Sequence, residues 1–123
     1  MIMLDIIFYS ANNQEPDYVE LSENIYEWLA KSKFSKIGKS LETRIKIDGE
    51  EENLPLVPLD QENRRQLRLF FLEAIADESD VILTQLETCD SKAAYQQAIY
   101  RLRKLQELRK CVENENYQYL QRV

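Results

Sequence analysis

Four carboxylates stand within five residues in the segment DGEEEN, at Asp48, Glu50, Glu51 and Glu52. Acids at this density have two uses. They ligate a hard divalent cation, or they project a negative field toward a basic partner. A calcium loop sets its carboxylates at alternating positions and closes on a distal bidentate Glu. Here the chain continues LPLVPL, so apolar Leu54 and Leu56 stand where further ligands belong. The expectation is therefore no metal and no other cofactor, with the acidic tip serving as a protein-binding surface. Glu20, Glu23 and Glu27 are assigned to the same surface. Their spacing of three and four places them on one face of a helix.

Other residue types offer less chemistry. Histidine is absent, which removes the commonest general base near neutral pH and the commonest metal ligand. Asp5 is the one charge in the apolar opening MIMLDIIFY. No second acid or nucleophile stands at a fixed spacing from it to build a catalytic constellation. The segment IGKS, residues 37–40, matches the end of a phosphate-binding loop, but the first glycine of GxxxxGK[ST] would fall on Lys33. Two basic clusters, Arg64/Arg65/Arg68 and residues 101–110, are of a type that touches nucleic-acid phosphates. The net charge of −6 argues against that partner and for ion pairing within the chain. Cys89 and Cys111 lack zinc-like spacing and read as free thiols, which suits a reducing cytoplasm.

These residues must be positioned by a small number of elements. The chain has 2 glycines and 3 prolines, too few for a many-turned sheet, which favours long helices. In the opening stretch Ile2, Leu4, Ile6 and Phe8 fall on one face at period two, with Met3, Asp5, Ile7 and Tyr9 on the other. That is a strand, not a signal peptide or a membrane anchor. Pro16 and Asp17 predict a helix start, with Tyr18, Leu21, Ile25, Trp28 and Leu29 as its apolar stripe. TRIKI and LPLVPL flank Asp48-Gly49, the strongest hairpin signal in the chain, with Pro55 and Pro58 making the second run an edge strand or an extended connection. Asp60 caps a helix that breaks at ADESD, residues 76–80, before a short further helix over 81–87. Asp90 or Ser91 caps a last helix reaching the end of the chain, about 30 residues or ~45 Å long. Its stripe is Ala94, Ala98, Leu102, Leu105, Leu108 and Val112, and it carries Tyr95, Tyr100, Tyr117 and Tyr119.

The fold expected is one α+β domain over residues 1–123. It has a small antiparallel sheet, an N-terminal strand plus a hairpin, packed against three to five helices with a long C-terminal helix. The charge is uneven. Residues 1–60 hold 12 acids and 6 bases, while residues 61–123 hold 10 of each. Size, negative balance and missing catalytic groups point to a non-catalytic inhibitor of the immunity-protein or antitoxin kind. It would cover a basic partner such as a nuclease toxin. The alternative is a structural or regulatory subunit that pairs through Leu102, Leu105, Leu108 and Val112, with itself or another chain. No membrane partner is expected.

Overall fold

The computed structural model describes residues 3–10, 15–88 and 92–122. Strands β1 (Met3–Ser10), β2 (Asp17–Ser22), β3 (Leu41–Ile47), β4 (Glu50–Pro58) and β5 (Tyr117–Arg122) form one antiparallel sheet in the order β2-β1-β5-β4-β3. Helices α1 (Glu23–Lys31), α2 (Gln61–Thr88) and α3 (Lys92–Glu113) complete the α+β fold, with a short 3-10 turn at Lys33–Lys36.

Two strands lie where helix was expected. DYVELS does not open α1; it is β2, paired with β1 from Met3↔Ser22 to Phe8↔Asp17. Val19 and Leu21 point inward while Tyr18 and Glu20 point out, a period-two pattern that also satisfies a short helical stripe. Pairing with β1 decides between them, because Val19 stands directly opposite buried Ile6 in the register. The second difference is at the other end. The last helix stops at Glu113, and YQYLQR returns as β5 between β1 and β4. Tyr117 and Tyr119 are therefore strand residues.

The middle of the chain differs in the opposite sense. ADESD does not interrupt α2, which runs unbroken for 28 residues, ~42 Å. Ser79, which with Asp80 is placed to cap the further helix, instead donates its hydroxyl to the Ile75 carbonyl at 2.8 Å, four residues back, as Thr84 does to Asp80 at 3.0 Å. Asp60 does cap α2, accepting from the Asn63 amide at 2.7 Å. Asp90, Ser91 and Cys89 lie outside the described residues. The Asp48-Gly49 turn forms as its sequence demands, with φ of 51° and 81° joining β3 to β4. The strand after it is no simple edge. β4 pairs with β3 along most of its length and with β5 at Val57 and Pro58, while Pro55 has a neighbour on one side only.

The main core fills the space between one sheet face and the helices. Ile6, Phe8, Val19, Leu21, Val57 and Leu120 meet Ile25 and Leu29 of α1, Leu67 and Phe71 of α2, and Leu105, Leu108 and Val112 of α3. Phe34, Phe70, Phe71 and Trp28 extend it as ring pairs 5.2–6.1 Å apart, joining the 3-10 turn and α1 to α2. Leu105, Leu108 and Val112 are 0–1% exposed, so the seam expected to receive a second helix is used within the chain.

Two arginines tie distant backbone together without a carboxylate. Arg64 donates to the carbonyls of Val112, Asn114, Leu59 and Tyr117 at 2.6–3.0 Å, locking the end of α3 and the start of β5 to α2. Arg122 donates to the carbonyls of Phe34 and, at 2.9 Å, Gly38. Gly38 has φ of 72°, and a Cβ there would come 2.7 Å from Val57 Cγ1. The glycine of IGKS thus answers backbone geometry and packing.

Candidate functional site

The helices cover one face of the sheet. Register places Tyr18 and Glu20 of β2, Asp5, Ile7 and Tyr9 of β1, and Tyr119 and Gln121 of β5 on the other. The same alternation gives this outer face Glu50, Glu52, Leu54 and Leu56 from β4, and Leu41, Thr43, Ile45 and Ile47 from β3. Its strand positions hold four carboxylates, Asp5, Glu20, Glu50 and Glu52, and no Lys or Arg.

The face is curved. In a flat sheet Glu52 would lie six residues beyond Pro58, about 20 Å from the row containing Tyr9. Instead Ile45, the cross-strand partner of Glu52, shares one small core with Tyr9. The β3–β4 arm is held by β5 only at Val57 and Pro58, so its far part is free to curl. It curls over the outer face and makes a second, smaller core of Tyr9, Ile45 and Leu56, flanked by Ile7, Ile47, Leu54 and Tyr119. Tyr9 donates its hydroxyl to Gln121 Oε1 at 2.5 Å. Burial pushes the Tyr9 pKa up, and Tyr18 and Glu52 push it the same way. The phenol therefore stays protonated at neutral pH and acts as a donor.

Beyond this small core the face is open. Tyr18 is 58% exposed and Leu41 50%. Asp5 stands directly opposite Glu20 across the β1–β2 pair. Like charges at such positions, with Cβ atoms ~5 Å apart, oppose folding. The Asp5 carboxylate has no hydrogen bond or ion pair among the described residues, and Glu20, Glu50 and Glu52 have no ion pair there. The arrangement offers acceptors, aromatic rings and apolar rims, a composition suited to a protein partner.

The structure divides the acids singled out from the sequence. Glu20, Glu50 and Glu52 share the outer face with Asp5. Asp48 sits in the hairpin turn at the end of the arm. Glu51 points to the other side of the arm and meets Arg44 at 3.9 Å. Glu23 and Glu27 are exposed on α1, which belongs to the helical layer, so they do not extend the Glu20 surface. Their grouping with Glu20 rested on a helix through residue 20, and β2 replaces it.

Most cations of the basic clusters are engaged with neighbours, while Arg103 and Lys110 are exposed with no ion pair among the described residues. Glu113 takes Arg68 and Arg109, each at 2.7 Å, and its carboxyl is held below the ordinary range, first by the Arg68 hydrogen bond. Glu78 takes Arg101 at 3.3 Å, and that guanidinium also lies 5.4 Å over the Trp28 ring. Lys104 meets Glu107 and Arg65 meets Glu62. Cys111 is a half-buried free thiol whose pKa is pushed up to about 11, chiefly by burial and then by Asp17 and Glu107. A thiol so shifted is a poor nucleophile. Among the described residues no group of three His, Cys, Asp or Glu side chains could hold a metal ion. No helix among them is long and apolar enough to cross a membrane.

No protein-family model, no curated protein and no solved structure matches this chain.

Proposed function

We propose that this protein works by binding, without catalysis, and that the outer face of its sheet receives a basic protein. One observation carries the reading. Asp5, Glu20, Glu50 and Glu52 come from three strands to one open face, among exposed Tyr18 and Leu41, with no cation at that face's strand positions. Acids gathered this way steer a cationic surface and fix its register, while the aromatic and apolar groups supply contact area. The sharper form of the proposal is an inhibitor of the immunity-protein or antitoxin kind. Its acidic face would occupy the surface that a nuclease toxin otherwise offers to a phosphate backbone. Size and the net charge of −6 support that form. The half-buried thiol of Cys111 fits a cytoplasmic setting.

The test begins with affinity capture from source cells, the captured protein being identified by mass spectrometry. Its association rate with the wild-type chain should fall steeply with salt. The variant Glu20→Lys/Glu52→Lys should slow association about tenfold or more at low salt. A rate indifferent both to salt and to this double reversal would remove the outer face from the mechanism.

A further inference from the structure

On the other side of the sheet a cavity of about 190 Å³ opens between β1, α1 and the 3-10 turn. Ile6, Leu29 and Phe34 form its apolar walls, with Ala30 and Tyr26 from α1 beside them. Arg122 also lines it. This guanidinium is half-buried, lies 5.7 Å over the Phe34 ring, and gives two of its five N–H groups to the carbonyls of Phe34 and Gly38. No carboxylate meets it among the described residues. The arrangement differs from Arg64, whose four carbonyl bonds use most of its donors. Tyr26 adds a phenol hydroxyl with no hydrogen-bond partner among the described residues, and burial holds its proton on.

An apolar cavity ending in an uncompensated cation has a specific chemical complement. We propose that it binds a small organic monocarboxylate, whose charged group sits on the Arg122 guanidinium while its apolar body fills the space beside Ile6, Leu29 and Phe34. The dimensions suit one ring or a short chain, since a cavity of roughly 150 Å³ admits benzene. Arg122 supplies the planar donor fork that carboxylates favour. Inorganic phosphate would satisfy the charge and leave the walls empty. A neutral amide would fill the walls and leave the charge unanswered.

Benzoate is the probe. Titrated into the full chain and followed by amide NMR shifts, it should bind saturably, with shifts confined to the cavity lining. Benzamide and inorganic phosphate should each bind about tenfold more weakly or worse. Ala30→Leu narrows the cavity without touching the cation and should abolish benzoate binding with an unchanged melting temperature. Arg122→Lys keeps the charge but loses the fork and should weaken binding about tenfold. If that variant fails to fold, the Ala30→Leu and benzamide arms still decide. Glu20→Lys on the opposite face should leave benzoate binding unaltered, which separates this site from the proposed protein-binding face. Benzoate without shifts at the lining, benzamide or phosphate binding equally well, or Ala30→Leu binding normally would each overturn the proposal.

Discussion

The helical layer and the outer sheet face handle charge in opposite ways. Between α2 and α3 two carboxylates are matched across the helices: Glu78 takes Arg101 at 3.3 Å, and Glu113 takes Arg68 and Arg109, each at 2.7 Å. On the outer face Asp5 confronts Glu20, Glu50 and Glu52 share that face on the β3–β4 arm, and no Lys or Arg occupies its strand positions. The first arrangement is what packing two long helices requires. The second opposes folding, and only interaction with something outside the chain would give it value. That asymmetry, more than the net charge, supports a binding role for the sheet face.

Substitutions on the two sides should therefore differ in sign. The largest effect belongs to Arg64, whose guanidinium satisfies four carbonyls at the junction of α3, β5 and α2. Arg64→Ala should cost at least about 3 kcal/mol in urea unfolding, because charge-assisted bonds are lost and acceptors are left bare. A cost under ~1 kcal/mol would show that this cation is not integral to the helical layer.

Next is the thiol of the same layer. With its pKa pushed up to about 11, Cys111 in a Cys89→Ser background should react with a disulfide reagent at pH 8 at least about tenfold more slowly in the native state than in urea. The linkage has a definite sign. The folded state keeps the proton that the unfolded state releases, so this thiol's contribution is complete below pH 9 and fades as pH rises toward 11. Equal native and unfolded reactivity would contradict the burial assigned to it.

A smaller loss follows Glu113→Gln, about 1 kcal/mol at neutral pH for a partly exposed carboxylate between two arginines. Its folded pKa is depressed, so the wild-type advantage is present above the ordinary Glu value of 4.5 and disappears as pH falls through the lower folded value. Parallel urea curves at pH 7 and pH 3 test this, and a gap unchanged at pH 3 would refute it. The smallest effect carries the opposite sign. Glu20→Thr removes a like-charge opposition and should stabilise the chain by about 0.2–1 kcal/mol at low salt, less at high salt. A destabilised variant would mean that Glu20 has a favourable role in the fold, and the contrast between the two regions would weaken.

Much of this was readable in the residues, and the failures have a common origin. The even/odd split of β1 from Ile6 to Tyr9, the Asp48-Gly49 turn and the stripe of α3 each rest on periodicity or on one turn's chemistry, and each holds, while the side chains of Ile2, Met3 and Leu4 lie outside the described ones. β2 and β5 differ from the expectation because six-residue segments beside strong helices fit both periods. Only their partners across the sheet separate the alternatives, and those partners are 9 to more than 100 residues away in sequence. The acids follow the same rule. A helix through Glu20 leaves Asp5 solitary, whereas β2 sets the two face to face, and the joining of Ile45 and Tyr9 in one small core depends on a curl of the β3–β4 arm that no local pattern encodes.

The position of β5 carries one last consequence. It lies between β1 and β4, yet both hairpins that it joins, β1–β2 and β3–β4, are closed by nearby sequence. A chain emerging from the ribosome thus makes two separate ribbons early and must wait for residues 117–122 to unite them. Joining Ile6 to Arg122 closes a loop of more than a hundred residues, a slow, non-local step. Until that step the half-sheets expose opposing edges to any other chain present. β5 is the strand that turns two separate ribbons into a single sheet.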